Sequence, residues 1–470
     1  MKITMKFGGT SVGSVGAIEH VTQIVGKHHH RGDQLVVVVS AMRGVTDRLI
    51  DAACQAEAGD EGVAHRARQE IEAKHRQTIG AFLADSPTAE ATLAEIQAAL
   101  DEFELLCHGI CVLGELTPRA LDVISGLGER INARQIAAIF NASHLPAQAV
   151  NATDLIVTDS RHGAATPLVR ETARKTCARL TPILEAGRIP VVTGFIGATP
   201  NGVQTTLGRG GSDYSATIIG RALSADEIWI WSDVNGVMTT DPRIVPNAKT
   251  IPRLSFGEVG ELAYFGAKVL HPRAIRPARQ ANIPVRMLNT FDPDNPGTLI
   301  DDRADGNEGG HAVKAVTAIK NLSIITVAGT GMMGIPGVAG RTFSAVAKTG
   351  TSVLMISQAS SEQTICFVVN TAEVPLVMQS LQEELARELE RRDLDEISAQ
   401  HGTVILAVVG AGMKGTPGIS ARVFGALGRA QINVIAIAQG SSEYNISLVV
   451  AQGDANQAVQ LIHDEFRLYE

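Results

Sequence analysis

The feature that most constrains this chain is an internal repeat in its C-terminal third. Ile324-Ile-Thr-Val-Ala-Gly-Thr-Gly-Met-Met-Gly-Ile-Pro-Gly337 returns as Ile405-Leu-Ala-Val-Val-Gly-Ala-Gly-Met-Lys-Gly-Thr-Pro-Gly418, and Ile356-Ser-Gln-Ala-Ser-Ser-Glu362 returns as Ile437-Ala-Gln-Gly-Ser-Ser-Glu443. The spacing is constant, since Gln358 matches Gln439 and Val369 matches Val450, so the copies align without a gap. Each reads strand, Gly-rich turn, helix, strand, tight turn, strand, helix. Two copies are too few for a solenoid, which needs roughly three or more, so a pair of α+β modules is expected. The second copy runs short. After a helical pattern at about 454–466 only Arg467–Glu470 remain, whereas a βαββαβ module needs one more strand. Val313–Ile319, ahead of the first copy, is a strand-like run with no partner of its own. It is expected to cross over and complete the second module, which makes the two modules interleaved.

The part before the repeat alternates between two periodicities. Ile3–Phe7, Leu35–Val39, Pro190–Gly194 and Glu227–Ser232 are short apolar runs of the kind buried in parallel sheets. Helical patterns fill about 14–28, 62–84, 88–112, 128–140, 167–186 and 212–223. The order predicts an α/β domain, doubly wound around a mainly parallel sheet. Stretches 292–297 and 301–311 are polar and turn-rich, and the second is the expected boundary. The expected domains are 1–300, 312–400 and 401–470, with 312–319 lent to the last.

Composition narrows the function. With 45% hydrophobic but only 4% aromatic residues, the cores must be built from aliphatic side chains, as sheets covered by helices are. A net charge of −8 without a long basic run argues against nucleic acid and anionic membranes as partners. No signal-like start and no apolar run of ~18 residues appears, so a cytoplasmic protein is expected. The five cysteines are scattered and suit no disulfide framework; Cys107 and Cys111, four apart on a helical pattern, are expected as buried thiols rather than metal ligands. His28–His30 reads as a solvated helix end. No metal-ligand cluster stands out, so no protein metal site is expected.

Several polar motifs interrupt this scaffold. Lys6-Phe-Gly-Gly-Thr-Ser11 ends the first strand with paired glycines, where backbone can approach a ligand and a following helix favours anions. The lysine precedes the glycines, unlike a P-loop. The plain alternative is a tight turn with a surface lysine. Leu207-Gly-Arg-Gly-Gly-Ser-Asp213 is a second Gly-rich turn before a helix. Arg209 there can grip a carboxylate in two places, although Ser212 and Asp213 also suit helix capping. Ser232-Asp-Val-Asn-Gly-Val-Met-Thr-Thr-Asp-Pro-Arg243 follows a strand, where loops hold ligands; Asp233 suits a nucleoside or metal and Arg243 a phosphate, against the plain reading of a solvated loop. Phe265-Gly-Ala-Lys-Val-Leu-His-Pro272 adds Lys268. Glu129, in Ser125-Gly-Leu-Gly-Glu-Arg130, reads by itself as a surface charge. No serine-histidine-acid pattern appears. That suits a nucleophile that arrives ionised, such as a carboxylate of pKa ~3.9.

Taken in order, the motifs at 6–11, 39–42 (Val-Ser-Ala-Met), 208–213, 239–243 and 265–272 resemble those of the aspartate kinase family of the amino-acid kinase fold. The repeat resembles the family's tandem ACT domains, which bind amino-acid effectors. The resemblance covers essentially the whole chain. It implies transfer of the γ-phosphoryl of ATP, with Mg2+, to L-aspartate. It also implies Lys6 between the γ-phosphate and the attacking carboxylate, Gly8 and Gly9 on phosphate, and Thr46 and Phe195 lining the aspartate site. Glu129 and Asp213 would hold the substrate ammonium, and Arg209 a substrate carboxylate, with Ser212 beside it. Ser40, Ser232, Asp233, Arg243 and Lys268 would contact nucleotide. Met238 stands where some relatives carry Tyr. Gln358 and Gln439 would serve a feedback amino acid, threonine first and lysine second, and ACT pairing implies a homodimer or larger. Some relatives continue into a homoserine dehydrogenase; a chain ending at Glu470 is expected to be monofunctional. The competing expectations are a kinase for glutamate or N-acetylglutamate, and a non-catalytic amino-acid sensor.

Overall fold

A computed structural model describes residues 1–84, 86–266, 270–302, 312–332, 337–358 and 363–470. Among these, Met1–Val237, Thr250–Phe256 and 270–302 form an N-terminal unit, and Met238–Lys249, 257–266 and 312–470 form a C-terminal unit. The elements up to residue 300 are β1 (Lys2–Phe7), α1 (Val15–His29), β2 (Gln34–Val39), α2 (Val45–Glu57), α3 (Val63–Leu83), α4 (Pro87–Leu113), α5 (Pro118–Ser125), α6 (Leu127–Ala142), β3 (Ala147–Val150), α7 (Val169–Glu185), β4 (Ile189–Thr193), β5 (Ile196–Ala198), β6 (Gln204–Thr206), α8 (Gly211–Ala222), β7 (Glu227–Ser232), β8 (Arg253–Leu254), α9 (Phe256–Tyr264), α10 (Pro272–Gln280), β9 (Val285–Asn289) and β10 (Thr298–Ile300).

The N-terminal unit is built on an eight-stranded sheet in the order β3-β4-β2-β1-β7-β9-β10-β8. Every pairing is parallel except β9 with β10. One face of β1 and β2 (Ile3, Met5, Phe7, Leu35, Val37, Val39) packs against Ile18 and Val21 of α1 and Ile136 and Phe140 of α6. Val36 and Val38 are buried on the other face. Burial on both faces is why these strands read as unbroken apolar runs. The register sets Phe7 opposite Val39 and Trp231, and Val39 opposite Thr193. The strands therefore end together, and the loops after them share one edge, where doubly wound folds carry their ligands.

In the C-terminal unit follow β11 (Ala315–Ala328), α11 (Val338–Lys348), β12 (Met355–Gln358), β13 (Thr364–Asn370), α12 (Val374–Glu384), α13 (Ala386–Arg391), β14 (Glu396–Val409), α14 (Ile419–Arg429), β15 (Ala436–Gln439), β16 (Asn445–Ala451) and α15 (Ala455–Glu465). Their strands form one antiparallel sheet, β12-β13-β11-β14-β16-β15. The crossover expected from the repeat is present. Ala315–Ile319 pairs with Ile405–Val409 of the second copy; beyond a register shift, Ile324–Ala328 pairs with Glu396–Gln400. Each copy thus takes a strand from ahead of the other. Val313 and Val316 share a core with Val404, Leu406, Val423 and Ile462, while Ile325 and Val327 share one with Phe367, Val377 and Leu381.

Two segments from before residue 300 belong to this unit. Val245 is buried in the second core, and Thr239 Oγ1 lies 3.0 Å from His463 Nε2. Glu258 of α9, fully buried, receives Lys314 Nζ at 3.1 Å and the Ala411 amide at 2.7 Å.

A fragment comprising 402–470 would leave Ile405–Val409 without one of its two partner strands and remove Val313 and Val316 from the core. It should show no cooperative thermal transition, whereas 308–470 should. A cooperative melt from 402–470 alone would refute the crossover as a folding requirement.

Two smaller expectations change. Only Cys107 is buried, its thiol pushed up to about 12 by desolvation, while Cys54 is exposed and the other three are half-buried. His28 is not solvated: its ring meets Trp229 edge-on at 4.6 Å and its Nδ1 lies 3.0 Å from Asp33.

Candidate active site

The loops at the C-terminal ends of β1, β2 and β4 and the N-termini of α6 and α8 gather the central residues in the N-terminal unit. Lys6 Nζ, near the end of β1, lies 2.6 Å from Asp213 Oδ1 in the first turn of α8, and both side chains are largely enclosed. Lys6 also acts electrostatically on Glu129, in the first turn of α6. Glu129 is buried, and one carboxylate oxygen has no hydrogen-bond partner. Desolvation pushes its carboxyl up to about 7, against the opposing pull of the Ala41 and Glu129 amides and of Lys6. The surface charge that the residue suggests by itself is thus a buried acid. A buried carboxylate oxygen without a partner is an acceptor that a cationic ligand group can meet.

Close approaches bring the other residues in. At Gly128 a Cβ would stand 2.7 Å from Ala41 Cβ and 3.7 Å from Thr46 Oγ1, so the missing side chain lets α6 meet the β2–α2 loop, with Thr46 beside Gly128. At Gly194 a Cβ would stand 2.6 Å from Ser212 Oγ, so this glycine lets α8 abut the end of β4. Phe195 holds φ +69, in the left-handed region that costs a bulky residue energy. The strain is held by its amide on Ser215 Oγ at 3.0 Å and by the Leu207 amide on its carbonyl at 2.8 Å. Arg209 is exposed on the turn before α8 and has no ion-pair partner among the described residues. Gly8 donates its amide to the Trp231 carbonyl at 3.3 Å, and the Gly9 carbonyl accepts from Arg43 at 3.1 Å. Ser40 is fixed by a buried chain in which Asn132 Nδ2 donates to its carbonyl at 2.7 Å. Residue types alone gave no sign of Asn132.

The nucleotide set is only partly gathered. Ser232 ends β7 and the exposed Asp233 follows it in the N-terminal unit. Arg243 belongs to the C-terminal unit, largely exposed, with its guanidinium on Asp241 at 2.6 Å. Lys268 lies outside the described residues. Gln358 and Gln439 end β12 and β15, both exposed; these strands stand last at either end of the sheet order yet meet, with Ser357 Oγ donating to the Ile437 carbonyl at 3.1 Å. No group of three or more potential metal-ligating side chains occurs among the described residues, and no helix among them is long and apolar enough to cross a membrane.

Residues 1–289 match the amino acid kinase family, and residues 325–385 and 406–466 match the ACT domain. A chloroplastic bifunctional aspartokinase/homoserine dehydrogenase 1 of Arabidopsis thaliana is 38% identical over 98% of this chain and 51% of its own. The chloroplastic aspartokinase 1 of the same plant is 33% identical over 98% of this chain and 79% of its own. This chain therefore spans about half the length of the bifunctional relatives it matches. The crystal structure of E. coli aspartokinase III in complex with aspartate and ADP has a TM-score of 0.82 at 29% identity, covering 99% of this chain and 100% of that one. The chain belongs to the amino acid kinase family, as an aspartokinase-type member that carries ACT domains.

The Glu129 shift has a consequence for stability. Its folded value of about 7 stands above the unfolded 4.5, so the unfolded chain gives up this proton first. Stability from this group is complete below about 4.5 and falls as pH rises toward 7. Glu129→Gln should therefore be more stable than wild type near pH 8, by at least ~1 kcal/mol, and no more stable near pH 4.5. Urea melts at the two pH values decide it; a gain of equal size at both would remove the titration account.

Proposed function

We propose that this chain transfers the γ-phosphoryl group of ATP to the β-carboxylate of L-aspartate, giving 4-phospho-L-aspartate. The observation that carries the reading is the enclosed trio of Lys6 on β1 and Asp213 and Glu129 in the first turns of α8 and α6. Two acids and one cation suit a substrate that brings an ammonium to the acids and an anion to the cation. Aspartokinase III of E. coli, similar over nearly the whole chain, was solved with aspartate and ADP.

The acceptor carboxylate is ionised at neutral pH and needs no general base. The barrier is bringing two anions together in line, so positioning and fixed cations must supply the catalysis. The substrate ammonium would settle on Glu129 and Asp213, with Thr46, Phe195 and Ser212 around it and Arg209 on the α-carboxylate. In taking Asp213 it would free Lys6 to face the γ-phosphate and the attacking oxygen. Gly8, Gly9, Ser40, Ser232, Asp233, Arg243 and Lys268 would meet the nucleotide. Mg2+, held chiefly by the nucleotide's own phosphate oxygens, would neutralise charge there.

Feedback belongs to the same reading. Gln358 and Gln439 hold equivalent places in the two modules and offer both donor and acceptor to a small amino acid. L-Threonine is the expected inhibitor and L-lysine the second candidate; a relative in E. coli was solved with lysine and aspartate. The product would feed lysine, threonine and methionine synthesis, and a homodimer or larger assembly formed through the ACT domains is expected. Gln439→Ala should weaken inhibition and leave uninhibited turnover intact. Unchanged inhibition curves, or inhibition by lysine alone, would remove the threonine account.

The activity itself is tested by ADP release and by hydroxylamine trapping of the acyl phosphate. With Mg-ATP, L-aspartate should give both, and L-glutamate and N-acetylglutamate far less. Equal or faster turnover of L-glutamate would overturn the assignment.

A further inference from the structure

We propose that Asp122 is the positioning residue of the amino-acid subsite, its buried carboxylate setting the turn that presents Arg209; this rests on the function proposed above. Asp122 lies in α5, is 2% exposed, and is not used by the chemistry. Its carboxylate receives Thr206 Oγ1 at 2.5 Å, His162 Nδ1 at 2.6 Å and the Gly163 amide at 3.0 Å. Its backbone carbonyl receives Gln204 Nε2 at 2.9 Å. Both Gln204 and Thr206 belong to β6, which runs directly into Leu207-Gly208-Arg209.

The segment held by Asp122 is also the floor on which that turn rests. The Ala165 amide donates to the Thr206 carbonyl at 2.9 Å. At Gly208, with φ +77, a Cβ would stand 3.0 Å from the Gly163 carbonyl oxygen. One carboxylate therefore fixes the strand entering the Arg209 turn and the loop packed beneath it. On its other side, α5 passes through Gly126 into α6 and reaches Glu129 within two turns. The two ends of the proposed amino-acid subsite, guanidinium and buried acid, are tied to each other through Asp122.

A carboxylate is the side chain this position requires. It is acceptor-only and receives hydroxyl, ring N–H and amide N–H together. Burying it is costly unless its oxygens are bonded, and here each oxygen receives at least one donor. Asparagine has nearly the same shape, but its NH2 would face donors and leave at least one of them unmet.

The test uses the full chain. In Asp122→Asn, the KM for L-aspartate should rise about tenfold, the size expected from losing one charge-assisted bond in a buried network, with kcat and the KM for ATP within about twofold. Thr206→Val should move the aspartate KM in the same direction by a smaller factor, and it carries the expectation if the asparagine variant does not fold. Because Asp122 acts through Arg209, its substitution should add little in an Arg209→Lys background. Full additivity there, equal rises in both KM values, or no change would overturn the positioning role. Wild type is measured first: no turnover of L-aspartate sinks the functional reading itself, whereas normal wild-type turnover with unaffected variants sinks only this inference.

Discussion

Lys6→Ala is expected to lower kcat by about 10²–10³, or ~3–4 kcal/mol, the loss associated with removing one preorganised electrostatic contact from a transition state. The size follows from where the side chain sits. Lys6 is on a central strand hydrogen-bonded on both sides, to β2 and β7, so its Cα cannot drift. Its ammonium is enclosed and lies 2.6 Å from Asp213. A cation held this way is not reorganised when the phosphoryl group moves. Water filling the truncated space would solvate the phosphate without a fixed charge. In the proposed substrate complex the ammonium has taken Asp213, and Lys6 faces the γ-phosphate and the attacking oxygen. Their close approach is completed only in the transition state, so Lys6 contributes more there than in the ground state. The loss should accordingly appear in kcat more than in either KM. If kcat stays within a fewfold and only a KM rises, Lys6 merely binds. A melting curve of the variant belongs with the kinetics, since removing the cation leaves Asp213 and Glu129 facing each other's field.

The scaffold that holds Lys6 was legible because its strands are buried on two faces. Ile3–Phe7, Leu35–Val39 and Glu227–Ser232 read as strands from their apolar runs, and the helical patterns at 14–28, 62–84 and 88–112 fall within a residue or two of α1, α3 and α4. β3 and β9 escaped notice. Ala147–Val150 is short and carries Gln148, and Val285–Asn289 is broken by Arg286, whose charge is met by Glu227. Helices α2 and α5 lie close to the site, where polar residues such as Thr46 and Asp122 interrupt the apolar stripe. The crossover of Ala315–Ile319 was legible for a different reason: a repeat that lacks one strand must obtain it elsewhere. The grouping of Met238–Lys249 with the C-terminal unit had no local signature, because it depends on Val245 finding a core made of residues far along the chain. Glu129 shows the same limit. A glutamate reads as surface until the neighbour that buries it is known, and that neighbour is the Ala41 loop admitted by Gly128.

Arg209→Lys should raise the KM for L-aspartate by about 10²-fold and the KM for ATP by no more than a few-fold. Arg209 stands exposed between two glycines, with no ion-pair partner among the described residues. Its fork is thus available to a ligand carboxylate and pays no internal bond to reach it. A bidentate pair of charge-assisted bonds contributes on the order of 1.5–3 kcal/mol per bonded group, and about 1.4 kcal/mol corresponds to tenfold in affinity. Lysine keeps the charge but offers a point donor on a flexible stem, so it loses the second bond and the planar fit. The turn is also part of the geometry. β6 is fixed by Asp122, and the Leu207 amide is fixed by Phe195, so lysine cannot recover the contact by moving the backbone. Steady-state kinetics with each substrate varied in turn decides the point. A parallel rise in both KM values would transfer Arg209 to the nucleotide side, and a fall in kcat with both KM values unchanged would place it on the transferring phosphoryl group.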